Sequence, residues 1–140
     1  MARYTAARTL LAPREDVWAF LAEPHNLSDW WPGLAGIEPD RRGFAPGARW
    51  RIQGDMRPRL FRSSGWAGVL LVLAVERPSR FAFQIVQDRL DVELALNEEG
   101  SDRTGAVLQV EGPGFGRVGR KLPQQALARL YDLCQTGAGL

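Results

Sequence analysis

The chain predicts an α+β fold: a curved antiparallel sheet of about seven strands gripping a long C-terminal helix, with two short helices after the first strand. Three observations carry that prediction. From Ala48 to Glu111, strand-length runs are separated by turn residues, and several of them alternate apolar and polar side chains. A helical apolar stripe, Leu122, Ala126, Leu130 and Leu133, follows only at the end of the chain. Between these and a strand-like N-terminus, Ala12 to Pro39 packs Trp18, Trp30 and Trp31 among proline and glycine turns. A sheet wrapped around one amphipathic helix leaves a space between them.

Arg3 to Leu11 reads as a strand that stops at Ala12-Pro13. Pro13 suits the first turn of a helix, where a missing N–H costs nothing. Glu15 and Asp16 then lie near the positive end of the helix dipole. Val17, Phe20 and Leu21 recur at helical spacing until Pro24 ends the run. A second short helix covers about Asn26 to Trp31 and stops at Pro32-Gly33.

Gly36 to Asp40 is a short strand, and Arg41 to Gly47 a turn. Ala48 to Met56 sets Trp50 and Ile52 on one face and Arg49, Arg51 and Gln53 on the other. Gly65 to Glu76 is a long apolar strand, closed by Arg77-Pro78-Ser79. Arg80 to Gln87 alternates Phe81, Phe83 and Ile85 with Ala82, Gln84 and Val86. After a tight turn at Asp88-Arg89, Leu90, Val92, Leu94 and Leu96 alternate with Asp91, Glu93 and Ala95. Asn97 to Asp102 is a polar loop, and Arg103 to Glu111 the last strand. A glycine-rich link leads to a helix from Pro123 to about Gln135, with Pro123 either in its first turn or at a kink. With no repeat or linker in 140 residues, the expectation is one domain over 1–140.

Composition narrows the function classes. Apolar residues make up 45%, and the apolar run from Trp66 to Val75 is too short for the roughly 20 residues of a membrane span. The N-terminus lacks a signal-peptide core, and the single cysteine, Cys134, excludes an internal disulfide; both predict the cytoplasm. The net charge is +2, and the basic clusters at Arg57, Arg59 and Arg62 and at Arg41 and Arg42 form no recognition helix or stacking platform. No nucleic-acid partner is expected.

The order of these segments resembles the START-like, or helix-grip, superfamily, which includes the birch-pollen-allergen fold, and is closest to its polyketide cyclase/dehydrase branch. The residues carrying the resemblance are APREDVWAFLAEPHNLSDWWPGLAGIE, PGARWRI from Pro46 to Ile52, ERPSRFAFQI from Glu76 to Ile85, and the terminal helix from Leu122 onward. The resemblance implies a seven-stranded sheet gripping the last helix around a cavity for hydrophobic ligands: lipids, sterols, polyketides or aromatic metabolites. Its members include carriers, receptors, cyclases and chaperone co-factors, so it implies no particular reaction.

The residues point to a ligand-holding role in preference to a catalytic centre. Trp31, Trp50, Trp66, Phe81 and Phe83 converge on the sheet–helix space, joined by Ile52, Leu94, Leu122, Ala126 and Leu130. Each also suits an ordinary core, and only volume separates lining from filling. His25, the single histidine, lies at the Pro24 turn and suits a surface or capping role. Cys134 reads as a buried structural thiol. No His/Cys cluster or carboxylate spacing suggests a metal, and no cofactor is expected. Gly114 to Gly119 spells GxGxxG, but no βαβ unit follows, so the motif is the entry to the last helix. Asp55 and Asp88 sit at strand ends, while Asp91 and Glu93 face water from the outer side of the sheet. Arg51 and Tyr131 remain as polar groups that could reach the cavity, and no catalytic residue is assigned.

The leading expectation is therefore a hydrophobic small-molecule binder. A cyclase/dehydratase-type enzyme is the alternative, and would need an inward-facing ionisable group. A protein-interaction module with a filled interior is the third reading. Val69 to Val75 is apolar on both parities, which predicts cover on its second face, and a homodimer partner would supply it.

Overall fold

A computed structural model describes residues 2–54, 68–113 and 120–138. Strand β1 (Ala2–Leu10) leads into helix α1 (Arg14–Leu21), a 3₁₀ turn (Pro24–Asn26) and the one-turn helix α2 (Leu27–Trp30). Strands β2 (Leu34–Glu38), β3 (Arg49–Gly54), β4 (Gly68–Glu76), β5 (Arg80–Ile85), β6 (Leu90–Gly100) and β7 (Arg103–Gly112) follow, then helix α3 (Leu122–Ala138). All strands pair antiparallel in one seven-stranded sheet of order β1-β7-β6-β5-β4-β3-β2.

That order puts β1 and β2 at opposite edges although they are neighbours in sequence. The α1–α2 segment must therefore cross the full width of the sheet, about 29 Å at the usual strand spacing. Val17, Trp18, Leu21, Leu27, Trp30 and Trp31 of this segment are buried in one core cluster, with Phe20 partly buried against it. Helix α3 packs on β1 and β7, with α2 beside it. Among the described residues no helix is long and apolar enough to cross a membrane.

Local chemistry sets the boundaries. Pro13 caps α1, its carbonyl accepting from the N–H groups of Asp16 and Val17 at 3.0 and 3.1 Å. Asn26 donates from Nδ2 to the carbonyl of Phe20 (2.9 Å), satisfying an orphan acceptor at the other end. The expected second helix divides into the 3₁₀ turn and α2, and here Glu23, not His25, supplies the cap: its carboxylate accepts from the His25 N–H. Pro123 lies in the first turn of α3 without interrupting it, and the helix, at about 25 Å, exceeds the expected length.

Two other expectations give way to pairing. The polar stretch Asn97–Gly100 continues β6, leaving only Ser101 and Asp102 for the turn. Asn97 and Glu98 pair with Gly105 and Thr104, and Glu99 accepts a hydrogen bond from the Thr9 hydroxyl on β1 (2.9 Å). Cross-strand partners thus override the loop-like composition. In β4 the register shifts between Val72 and Ala74. The bulge turns Val75, paired with Phe81, to the inner face alongside Leu70 and Val72, and leaves Leu73 exposed. This explains part of the two-sided apolar pattern of the strand.

Candidate functional site

The inner face of β3–β6 carries the aromatic residues. Phe81 and Phe83 point inward from β5, and Phe81 pairs with Leu94 on β6. Trp50 on β3 pairs with Leu70, and Ile52 lies two residues further along the same face. Trp31, the residue that closes α2, lays its ring edge-on to Phe83 with centroids 5.5 Å apart. From there the rings run on without interruption: Phe83 to Phe81 at 5.2 Å, Phe81 to Phe44 at 4.8 Å, Phe44 to Trp18 at 5.5 Å. Trp50 flanks Phe81 at 6.3 Å and Trp30 flanks Trp31 at 5.8 Å.

Phe44 is the member of this series that periodicity misses. It stands in the turn RRGFAPG between β2 and β3, where strand and helix patterns give no signal. A large apolar ring inside a Gly/Pro turn must still leave water, and that is the available clue. The loop is folded so that Phe44 reaches the core. The Asp40 carboxylate accepts N–H bonds from Arg42 (3.0 Å), Gly43 (3.3 Å) and Arg49 (2.9 Å). The Arg49 bond is the largest of the effects that hold Asp40 below the ordinary carboxylate range, and the other two act in the same direction. Trp50 donates its indole N–H to the Gly43 carbonyl (2.8 Å), so the one polar atom of that buried ring is satisfied by the same loop. Gly47, at φ +88, takes a conformation a side chain would strain.

The helix contributes an aliphatic wall. Leu122, Ala126 and Leu130 recur every four residues and face inward, with Leu127 and Cys134 beside them. Helix α3 lies on β1 and β7 with α2 beside it, and this wall and the aromatic rings are parts of one buried core cluster. The fold thus brings together Trp31, Trp50, Ile52, Phe81, Phe83, Leu94, Leu122, Ala126 and Leu130; Trp66 lies outside the described residues. Trp50, Phe83, Leu94, Ala126 and Leu130 are 0% exposed. A molecule touching them must therefore displace protein contacts.

The polar inventory is sparse. Thr104 is the buried polar residue among the described residues, and its hydroxyl donates to the Ala12 carbonyl at 2.7 Å. Cys134 is buried; desolvation, with Asp16 nearby, pushes its thiol up to about 11. Neither earlier cavity candidate reaches the rings. Arg51 projects from the outer face and pairs with Glu38. Tyr131 sits against β1, under the guanidinium of Arg8 at 4.1 Å from the ring centroid. His25 is exposed and bonds Glu23 through Nδ1 at 2.9 Å. Asp91 and Glu93 do lie on the outer face, but half-buried and bonded to Gln84 and Arg80. Asp55 and the whole GxGxxG stretch, Gly114 to Gly119, lie outside the described residues.

Known proteins share this fold. A protein of Nitrosospira multiformis superposes with a TM-score of 0.72 at 13% identity, over 99% of this chain and all of that one. The di-domain aromatase/cyclase StfQ of steffimycin biosynthesis gives 0.73 at 15% identity, over 99% of this chain and 46% of that chain. A norcoclaurine synthase of Thalictrum flavum, solved with a transition-state analogue, gives 0.68 at 13% identity, over 98% and 96%. At such identities the likeness shows the fold alone, which is the helix-grip fold. No curated protein matches the chain in sequence. A family described as polyketide cyclase / dehydrase and lipid transport does match, over residues 1–132. With that match over nearly its whole length, on a sheet that grips a C-terminal helix, the chain belongs to the polyketide cyclase/dehydrase and lipid transport family.

Proposed function

We propose that the apolar interior between the inner face and α3 opens to hold an apolar or aromatic small molecule, and that the protein acts by binding it. The observation that carries this reading is the unbroken series of rings from Trp31 through Phe83 and Phe81 to Phe44, opposite the aliphatic wall of α3. Family membership supports it: lipid transport and cyclisation of polyketides both require an apolar guest. Burying about 250 Å² of ligand would contribute about 6 kcal/mol before association costs. Charge plays little part, since the buried polar group among the described residues, the Thr104 hydroxyl, is committed to a backbone carbonyl. The same scarcity favours binding over acid/base catalysis.

Because the rings are packed in the unliganded chain, binding must part them. The half-buried residues at the margins of this cluster, Leu34, Phe44, Val75 and Leu90, are the contacts a guest exchanges first. The test is native mass spectrometry of the purified protein, with extraction of any companion, and a fluorescence titration with 1-anilinonaphthalene-8-sulfonate. A bound apolar companion, or saturable probe binding weakened by Trp31→Ala, is the expected result. A clean protein mass together with no saturable binding of apolar probes overturns the proposal.

A further inference from the structure

The series of rings meets solvent at one of its described members. Trp18, Trp30, Trp31, Trp50, Phe81 and Phe83 are each 4% exposed or less, whereas Phe44 is half-buried. Phe44 lies against Trp18 of α1 on one side and Phe81 of β5 on the other. The loop that carries it is bonded on both sides of the ring. Before it, Gly43 donates its N–H to Asp40 and its carbonyl accepts from the Trp50 indole. After it, the Gly47 N–H donates to the Val72 carbonyl at 2.8 Å, and the Ala48 N–H to the Ala45 carbonyl at 3.1 Å. Phe44 itself makes no hydrogen bond among the described residues. Gly43 and Gly47, at φ 62 and 88, bracket it in conformations that favour glycine.

We infer that Phe44 is the gate of the interior: its ring swings outward to admit a guest between Trp18 and Phe81, while the bonded loop on either side stays in place. This inference rests on the proposed binding of an apolar guest. Swinging out costs Phe44 its packing on two rings and breaks no hydrogen bond. The other half-buried margins are less free. Val75 and Leu90 stand in paired strands, opposite Phe81 and Ile85, and Leu34 pairs with Gly54 while its N–H donates to the Trp31 carbonyl. Beneath Phe44, Phe81 leads directly to Phe83 and Trp31, so a guest entering there meets the aromatic series end-on. Phe44 therefore sets how fast the interior fills and empties, more than how tightly it holds.

Stopped-flow fluorescence with 1-anilinonaphthalene-8-sulfonate tests this, with circular dichroism to confirm that each variant folds. Phe44→Ala should raise the association and dissociation rate constants together, each at least about tenfold, because the two ring contacts no longer have to part. Phe44→Leu should act in the same direction and less. Phe44→Trp, a larger ring at the same position, should slow both. Kd should move less than either rate, unlike the weakening expected of Trp31→Ala. Wild-type rates in Phe44→Ala overturn the inference, as does faster binding by Phe44→Trp, which would signify a loosened core. Entry hastened as much by Leu34→Ala or Leu90→Ala also overturns it. In each of these cases the probe still binds and the ligand reading stands. No saturable binding by wild type or any variant overturns both.

Discussion

Replacing Phe83 with alanine probes the packing and the capacity of the interior at once. The ring is fully buried between Trp31 and Phe81, with centroids 5.5 and 5.2 Å away. Removing its apolar surface costs about 2.5–3 kcal/mol at the usual area coefficient. Losing two ring–ring contacts adds about 0.5–1.5 kcal/mol each. The expected loss is about 4–5 kcal/mol, the upper range for aromatic truncations in cores. A domain of this size has about 5–15 kcal/mol to lose, so the variant should fold, with Tm lowered by about 15 °C. The vacated space is bounded by aromatic rings and should accept indole or benzene. At a concentration about 100-fold above Kd, the guest should restore about 2.7 kcal/mol. Urea titrations with and without the guest measure both effects. A loss under about 1.5 kcal/mol would refute the packing argument. A full loss with no recovery by either guest would refute the claim that this interior takes aromatic molecules.

Three further outcomes are expected. Thr104→Val removes the hydroxyl that reaches the Ala12 carbonyl and should cost about 1–3 kcal/mol in urea unfolding, with Thr104→Ser milder; a cost under about 0.5 kcal/mol would mean that the carbonyl finds water. Asp40 titrates below the ordinary carboxylate range, so its hold on the β2–β3 loop is present above that range and is lost as pH falls through its folded value. Amide exchange at Gly43 and Arg49 should then rise in acid relative to β6, and Asp40→Asn should abolish that pH dependence. The Cys134 thiol is raised from 9.0 to about 11, so its contribution to stability is complete below the unfolded value and lost as pH rises through the folded one. Wild type should lose more stability than Cys134→Ala across that alkaline window, and its native thiol should react with a disulfide reagent only slowly at about pH 8; equal pH profiles would refute the burial argument.

The sequence by itself determined which face of β3, β5, β6 and α3 turns inward. In β5 and β6 a period of two assigned Phe81, Phe83 and Leu94 to the interior, and in α3 a period near four did the same for Leu122, Ala126 and Leu130. These patterns are legible because the side-chain directions of strands and helices repeat locally. The proline and acid placements around α1 were legible for the same reason: a helix end is satisfied by residues within a turn of it. Other features arose only from contacts between distant segments. Pairing of β1 with β7 sends α1 and α2 across the whole sheet and so buries three tryptophans. A shifted register in β4 decides that Val75 faces in and Leu73 faces out. Partners on β7 and β1 draw the polar residues 97–100 into a strand. Phe44 joins the series of rings because Trp50 and Asp40 fold its loop inward. Each of these depends on residues brought together by closing long loops, and such pairings leave no periodic trace in the chain that makes them.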